Sequence, residues 1–270
     1  MSIVDIPYAK PKVILFDWHA TLVDTHDAMY HAIDDVLPKL RELDVIDRMV
    51  KTEDSKTLED AKLVKYVREN YKLHPKVKSA RKVSRTDIFQ VLFGNDEEAK
   101  RIVHGAFDDA YRSYYGDVHP FEEGVETMLQ DLRELQIKLG ALTNRNREFM
   151  MHEVNAVSET GWQHYFDTIV CGDDVPKRKP APDQIIQAVQ ELQEELNLSC
   201  WYVGDSTTDV IAAKEAGVTA IYYNGANWSQ EWLDKIFPGT VDHPHRPEVV
   251  GDNFKQLMHI VRLETFAISE

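Results

Sequence analysis

Val13-Ile14-Leu15-Phe16-Asp17-Trp18-His19-Ala20-Thr21-Leu22-Val23-Asp24-Thr25 begins as an unbroken apolar run and turns polar within a few positions. Such a run predicts a fully buried strand of a parallel sheet. Buried parallel strands deliver their functional groups at their carboxyl ends, where open α/β sheets keep the ligand crevice. Asp17 and His19, two residues apart, point to the same side of the chain there. A carboxylate beside an imidazole suits a nucleophile or metal ligand next to an acid/base. The same pair also suits a plainer role, an aspartate capping the next helix and a histidine on a solvated turn. The rest of the chain separates the two readings.

The chain has 270 residues, enough for one large domain or for a core domain with a smaller one inserted. Lys plus Arg is 31 and Asp plus Glu is 46, so the formal charge is −15. An acidic balance of this size argues against general binding to nucleic acid or to anionic membranes. The two cysteines, Cys171 and Cys200, lie in apolar strand-like stretches and make no metal-binding spacing. No run approaches the length of a membrane-spanning helix, and MSIVDIPYAKPK lacks the basic start and apolar stretch of a signal peptide. A cytoplasmic, reduced setting is the expectation.

Residues 26–117 read as all-helical. Apolar positions at Ala28, Met29, Ile33, Val36, Leu37 and Leu40 predict a helix over 26–43 with a kink at Pro38. Further helices are expected over 58–71, over 87–93 ending at Gly94, and over 96–115. From Val118 the rhythm changes to alternating helix and strand. Helices are expected near 124–136, 148–158, 183–196 and 209–216, and strands over 137–142, 168–171, 200–203 and 218–223. Alternation of this kind predicts a parallel sheet covered on both faces by helices. The tail reads as two helices, 230–236 and 253–263, around a loop rich in proline and histidine.

Four strand ends then carry polar groups: Asp17 with His19, Thr143 with Asn144, Gly172-Asp173-Asp174, and Gly204-Asp205-Ser206-Thr207-Thr208-Asp209. Lys177-Arg178-Lys179-Pro180-Ala181-Pro182 lies between the last two. Parallel strands point one way, so these groups converge on one rim. The set suits a phosphate held beside a divalent cation. Carboxylates such as Asp17 and Asp205 suit Mg²⁺, which favours hard oxygen ligands and needs few from the protein. Lys179 can neutralise phosphate charge, and the Thr143 hydroxyl with the Asn144 backbone can donate hydrogen bonds to it. Asp173 and Asp174 read as turn and rim residues.

These residues also spell a family. FDWHATLVDT, LGALTN, RKPAPD and WYVGDSTTDVIAAKEAG stand in order and resemble the four motifs of the haloacid dehalogenase superfamily of phosphohydrolases, the likeness running from Val13 to about Asn224. The resemblance implies a Rossmann-like catalytic core, here 1–25 and 118–270, with a helical cap domain inserted after the first motif, here 26–117. It implies Asp17 as the nucleophile that takes the phosphoryl group as an aspartyl-phosphate. Thr143 would bind the transferring phosphate, and Lys179 would steady its charge and that of Asp17. Mg²⁺ would be held by Asp17, the backbone carbonyl of His19 and Asp205, with Asp209 acting through water or as a support. The implied function is a Mg²⁺-dependent phosphatase on a small phosphorylated metabolite, as a monomer or small homo-oligomer.

One position departs from the pattern. Family phosphatases usually carry a second aspartate two residues after the nucleophile, and here that position is His19; the glycine that follows is replaced by Ala20. Histidine can serve as the acid/base, with an unperturbed pKa of about 6.5. The alternatives are a divergent activity, including phosphotransfer, mutase chemistry or phosphonate or halide cleavage, and a non-catalytic binding protein that kept the fold. The acidic GDSTTD argues against the metal-free dehalogenase branch. The Asp-Trp pair is similar to the phosphonate-cleaving branch, but no cap-lysine motif is recognisable around Lys51, Lys56 or Lys62.

Two basic features stay open. Lys72, Lys76, Lys78, Arg81, Lys82 and Arg85 contain no acid among them and suit either attraction of an anionic substrate group or a solvated basic face. Arg145 and Arg147 either touch substrate or cap the rim.

Overall fold

The computed structural model describes residues 10–266, with side chains through residue 262. The amino-terminal stretch 1–9, part of the segment read above as lacking a leader, lies outside the described residues. The chain divides into two compact units, one formed by the segment ending at Asp24 together with the chain from Val118, the other by Thr25–Asp117.

The first unit is built on a six-stranded parallel sheet. Its strands are β1 (Val13–Asp17), β4 (Lys138–Leu142), β5 (Thr168–Val170), β6 (Cys200–Gly204), β7 (Thr219–Tyr223) and β8 (Val249–Gly251), in the order β5-β4-β1-β6-β7-β8. A separate ribbon pairs β2 (Val23–Asp24) antiparallel with β3 (His119–Pro120), where the chain leaves this unit and returns. Every residue of β1 is buried, as its apolar run predicts. Val13 and Leu15 face one core layer, and Ile14 and Phe16 face the other. Helices cover both faces. α6 (Val125–Glu134), α7 (Arg147–Ala156) and α11 (Phe254–Phe266) pack on the Ile14/Phe16 side. α8 (Asp183–Glu191), α9 (Thr207–Ala216) and α10 (Gln230–Ile236) pack on the Val13/Leu15 side. The expected Rossmann-like α/β fold is the one the chain forms.

Register decides the rim. Asp17 of β1 lies opposite Leu142 of β4, so Thr143 stands one residue beyond it. Phe16 lies opposite Val203 of β6, so Gly204 is level with Asp17 and Asp205 stands one residue beyond. The strand order reverses between β1 and β6, the topological switch where doubly wound sheets bind ligands.

The second unit is all-helical: α1 (His26–Val36), α2 (Leu58–Asn70), α3 (Pro75–Ala80), α4 (Arg85–Phe93) and α5 (Glu97–Tyr111), with short 3₁₀ turns between them. Pro38 ends α1 rather than kinking it, because the chain tightens into a 3₁₀ turn over Leu37–Lys39. α3 was not expected from the sequence. α4 starts two residues earlier than expected, at a capping box formed by Ser84 and Asp87. Three of the six basic side chains in the stretch 72–85 pair with acids of this unit. Lys78 pairs with Asp34 at 2.7 Å, Arg81 with Asp27 at 2.6 Å and Arg85 with Asp108 at 2.6 Å. Those acids come from α1 and α5, distant in sequence, so the stretch looks unpaired only when read alone.

Three short strands were missed, the two-residue β2 and β3 and the edge strand β8. β8 is a three-residue edge strand within the tail that read as two helices and a loop, and three residues are too few for periodicity to show.

Candidate active site

Past β1 the chain folds into a tight loop. The Trp18 carbonyl accepts from Leu22 and Val23 N–H at 3.0 Å each, and Ala20 N–H donates to the Val23 carbonyl at 2.8 Å. Ala20 sits at φ 58°, the left-handed region that a side chain enters at a cost of about 1–2 kcal/mol. This loop presents Asp17, Trp18 and His19 together, with Trp18 fully buried against Trp162 and Phe166.

Lys179 is the hub of the rim. Its ammonium, 3% exposed, donates to Asp17 Oδ1 at 2.6 Å, to Asp209 Oδ1 at 2.8 Å and to the Tyr202 hydroxyl at 2.7 Å. Tyr202 in turn donates to Asp209 Oδ1 at 3.0 Å. Burial alone would lower the Lys179 pKa, but the carboxylates of Asp17 and Asp209 hold it above its ordinary value, so the lysine stays cationic. Asn144 fixes its backbone from both sides: Lys179 N–H donates to Asn144 Oδ1 and Asn144 Nδ2 donates to the Lys179 carbonyl, both at 2.9 Å. The Asn144 side chain is therefore spent on positioning the lysine.

Asp17, Asp205 and Asp209 bring carboxylate oxygens within 4.8 Å of one another. Burial first, then the charge of Asp209, pushes Asp17 up to about 7 despite the Lys179 pair. Burial and the charges of Asp17 and Asp209 likewise raise Asp205 well above the carboxylate range. Three carboxylates against one lysine leave the cluster short of positive charge, and an all-oxygen set suits a hard divalent cation. Asp209 differs from the other two. Its Oδ1 takes Lys179 and Tyr202, and its Oδ2 takes Ser206 N–H at 3.1 Å and Ser206 Oγ at 2.5 Å as the capping box of α9. Both of its oxygens already hold protein donors. Gly204 makes room for it, since a Cβ there would lie 2.4 Å from Asp209 Cγ.

Thr143, 1% exposed, completes the pocket on the β4 side. Its hydroxyl oxygen accepts from Arg145 N–H at 3.1 Å and lies 3.3 Å from His19 Nδ1. Gln184, fully buried on α8, donates to the Thr143 carbonyl at 2.7 Å. The Arg145 side chain turns to Glu153 at 3.1 Å. Arg147 grips Asp174 at 2.5 Å while its N–H donates to Asp173, so both aspartates serve the start of α7 as turn residues. Cys171 lies beside them, but burial pushes its thiol up to about 12, which leaves it protonated and a poor metal ligand.

Three residues at this rim escaped the sequence reading. Gln184 reads there as an ordinary polar helix residue and Tyr202 as strand filler. Glu153 reads as a helix charge, although its spacing from Phe149 and Met150 puts it on the apolar face of α7; a charge on that face was the available signal.

A doubly wound α/β core with a buried lysine between carboxylates at its topological switch places these groups where such sheets bind their ligands. The chain belongs to the haloacid dehalogenase-like hydrolase family, whose pattern matches residues 14–223. It is 34% identical over 117 residues to the phosphoglycolate phosphatase of Neisseria meningitidis, covering 42% of this chain and 48% of that one. It is 29% identical over 171 residues to the phosphoglycolate phosphatase of Salmonella typhi, covering 60% of this chain and 59% of that one. The chain thus spans about half to three fifths of the length of these curated relatives. Among solved structures, a Bacteroides fragilis protein of the haloacid dehalogenase-like hydrolases superposes with a TM-score of 0.65 at 18% identity, covering 92% of this chain and all of that one. A Pseudomonas syringae hydrolase gives 0.59 at 19% identity, covering 93% and 99%. These two likenesses establish the fold. Among the described residues no helix is long and apolar enough to cross a membrane.

Proposed function

We propose that this chain is a Mg²⁺-dependent phosphatase that hydrolyses a small phosphomonoester through an aspartyl-phosphate on Asp17. The observation that carries the reading is the Lys179 ammonium held between Asp17 and Asp209 at 2.6 and 2.8 Å, with Thr143 and Asp205 each one residue beyond the level of Asp17 on the neighbouring strands. A carboxylate that must attack an anionic phosphoryl group needs positive charge fixed beside it. Lys179 supplies one such charge in a water-poor setting. Asp17, Asp205 and the His19 carbonyl are the residues assigned to Mg²⁺, which would screen the remaining repulsion between nucleophile and phosphate. Asp209, with both oxygens taken, buttresses the lysine. The Asn144 N–H binds a phosphoryl oxygen, and the Thr143 hydroxyl turns its hydrogen to another when His19 Nδ1 carries a proton of its own. His19 occupies the acid/base position: it gives a proton to the departing alcohol, and the same nitrogen later takes one from the water that opens the aspartyl-phosphate. The helical unit 25–117 is assigned as the cap that selects substrate.

The relatives' names make 2-phosphoglycolate the first substrate to try. Purified chain with Mg²⁺ should release inorganic phosphate from some member of a phosphomonoester panel that includes it. Asp17→Asn should abolish release without unfolding the chain. Full release by Asp17→Asn would eliminate the covalent route, and no release from any substrate by the folded wild type would eliminate the phosphatase reading.

A further inference from the structure

We infer that Glu153 is a positioning residue that decides which ring nitrogen of His19 faces the phosphoryl site. The inference deepens the phosphatase reading and rests on it for where that site lies.

Glu153 is fully buried, among Phe149, Met150 and Val154 of α7. A carboxylate in that place persists only with several donors. Three reach it: Trp18 Nε1–H at 2.9 Å and His19 Nε2 at 2.7 Å on Oε2, and Arg145 Nη1 at 3.1 Å on Oε1. Facing a guanidinium, Glu153 is a carboxylate and can only accept, so Nε2 is the nitrogen that bears hydrogen. On the far side of the ring, Nδ1 lies 3.3 Å from Thr143 Oγ1. With the hydrogen on Nε2, the neutral ring leaves a lone pair on Nδ1, and the Thr143 hydroxyl, whose oxygen accepts Arg145 N–H, donates to it. A closed circuit results, from Arg145 N–H through Thr143 and His19 to Glu153 and back to the Arg145 guanidinium. Its direction is set at the Glu153 end, by a carboxylate that only accepts. Whatever proton Nδ1 carries, Nε2 keeps its own. The nitrogen that exchanges a proton is therefore the one beside Thr143. Glu153 comes from a helix 134 positions along the chain, so the sequence motif around His19 contains no trace of it.

The test is the ring tautomer, read by long-range ¹H–¹⁵N correlation on ¹⁵N-histidine protein at about pH 9, where an ordinary imidazole is neutral. His19 is assigned by the signal lost in His19→Asn. The wild type should show a protonated Nε2 and a bare Nδ1. In Glu153→Gln no orientation of the amide accepts from Trp18 and His19 on one atom and from Arg145 on the other, so the single wild-type tautomer should give way to a mixture of the two. With an active substrate, kcat should fall about 10–100-fold and KM by less than about threefold. In a His19→Asn background the same change should lower kcat by less than about threefold, because the residue it positions is gone. A bare Nε2 in the wild type overturns the inference. So does an equal loss of kcat in both backgrounds, which would mark Glu153 as a packing residue for Trp18 and Arg145. Should Glu153→Gln fail to fold, the wild-type tautomer decides alone. If no substrate is hydrolysed, the phosphatase reading fails while the tautomer still decides the Glu153–His19 pair.

Discussion

Replacing Lys179 by methionine, of similar length and without charge, tests the hub of the site. At an effective dielectric of about 20, contacts of 2.6 and 2.8 Å are worth about 6 kcal/mol of attraction each. Withdrawing the ammonium and the carboxylates from water returns several kcal/mol per ion. What matters for the variant is what stays behind: two buried carboxylates and a tyrosine hydroxyl with no cation between them. Removing one partner of a buried pair costs about 3–5 kcal/mol, and that is the loss expected for Lys179→Met near pH 8. At about pH 5 the loss should be smaller, because Asp17 already lies at about 7 in the wild type and rises further once Lys179 no longer lowers it. Equilibrium urea unfolding followed by tryptophan fluorescence is the assay. Trp18, Trp162, Trp201, Trp228 and Trp232 all belong to the sheet-containing unit, so the signal reports the unit that holds the site. Adding Asp209→Asn to the variant should recover part of the loss by removing one orphaned charge. A loss below about 1 kcal/mol would refute the reasoning, since it would make the cluster equivalent to a solvent-screened surface pair. Strict additivity of the two changes would refute it as well.

Other expectations follow from the same geometry. Asp17 is raised from 3.8 to about 7, so the folded state binds more protons than the unfolded one between these values. Without divalent cation its contribution is fully present below about pH 4 and is lost as pH rises through 7, a difference of about 4 kcal/mol. Mg²⁺ should flatten that decline by favouring the carboxylate. Melting temperatures in EDTA that stay level from about pH 5 to 8 would contradict this. Ala20→Gly relieves the left-handed φ of 58° and should stabilise the chain by about 1 kcal/mol in the same urea assay; a destabilised variant would show that the Ala20 methyl contributes more than its backbone costs. Gly204→Ala drives a Cβ to 2.4 Å from Asp209 Cγ, and displacement of Asp209 from Lys179 should cost about 1–3 kcal/mol and slow phosphate release. Wild-type stability and rate in this variant would mean that Asp209 can shift without disturbing the lysine.

The sequence by itself determined the parts whose cause is local. An apolar run is a buried strand wherever it lies, so β1 and the alternating elements after Val118 were legible from pattern. So were the strand ends at Asp17, Thr143 and Asp205, because polar residues directly after buried parallel strands reach one rim. Element ends were less legible where tertiary packing or caps intervene, as at Pro38, Ser84 and the short edge strand β8. Tertiary structure alone decided what each polar group does. Asn144, read as a backbone donor to phosphate, spends its side chain on the Lys179 backbone, and Asp209, read as acting through water or as a support, has both oxygens filled by protein donors. Arg145, suited equally to substrate or rim, turned to a buried glutamate. The physical reason is that a charge or hydrogen bond acts over a few ångströms of space, whatever the separation along the chain. Tyr202, Gln184 and Glu153 lie 23, 41 and 134 positions from the groups they hold. His19, the residue at which the motif departs from its family, therefore had its partner chosen by α7 and not by its neighbours in sequence.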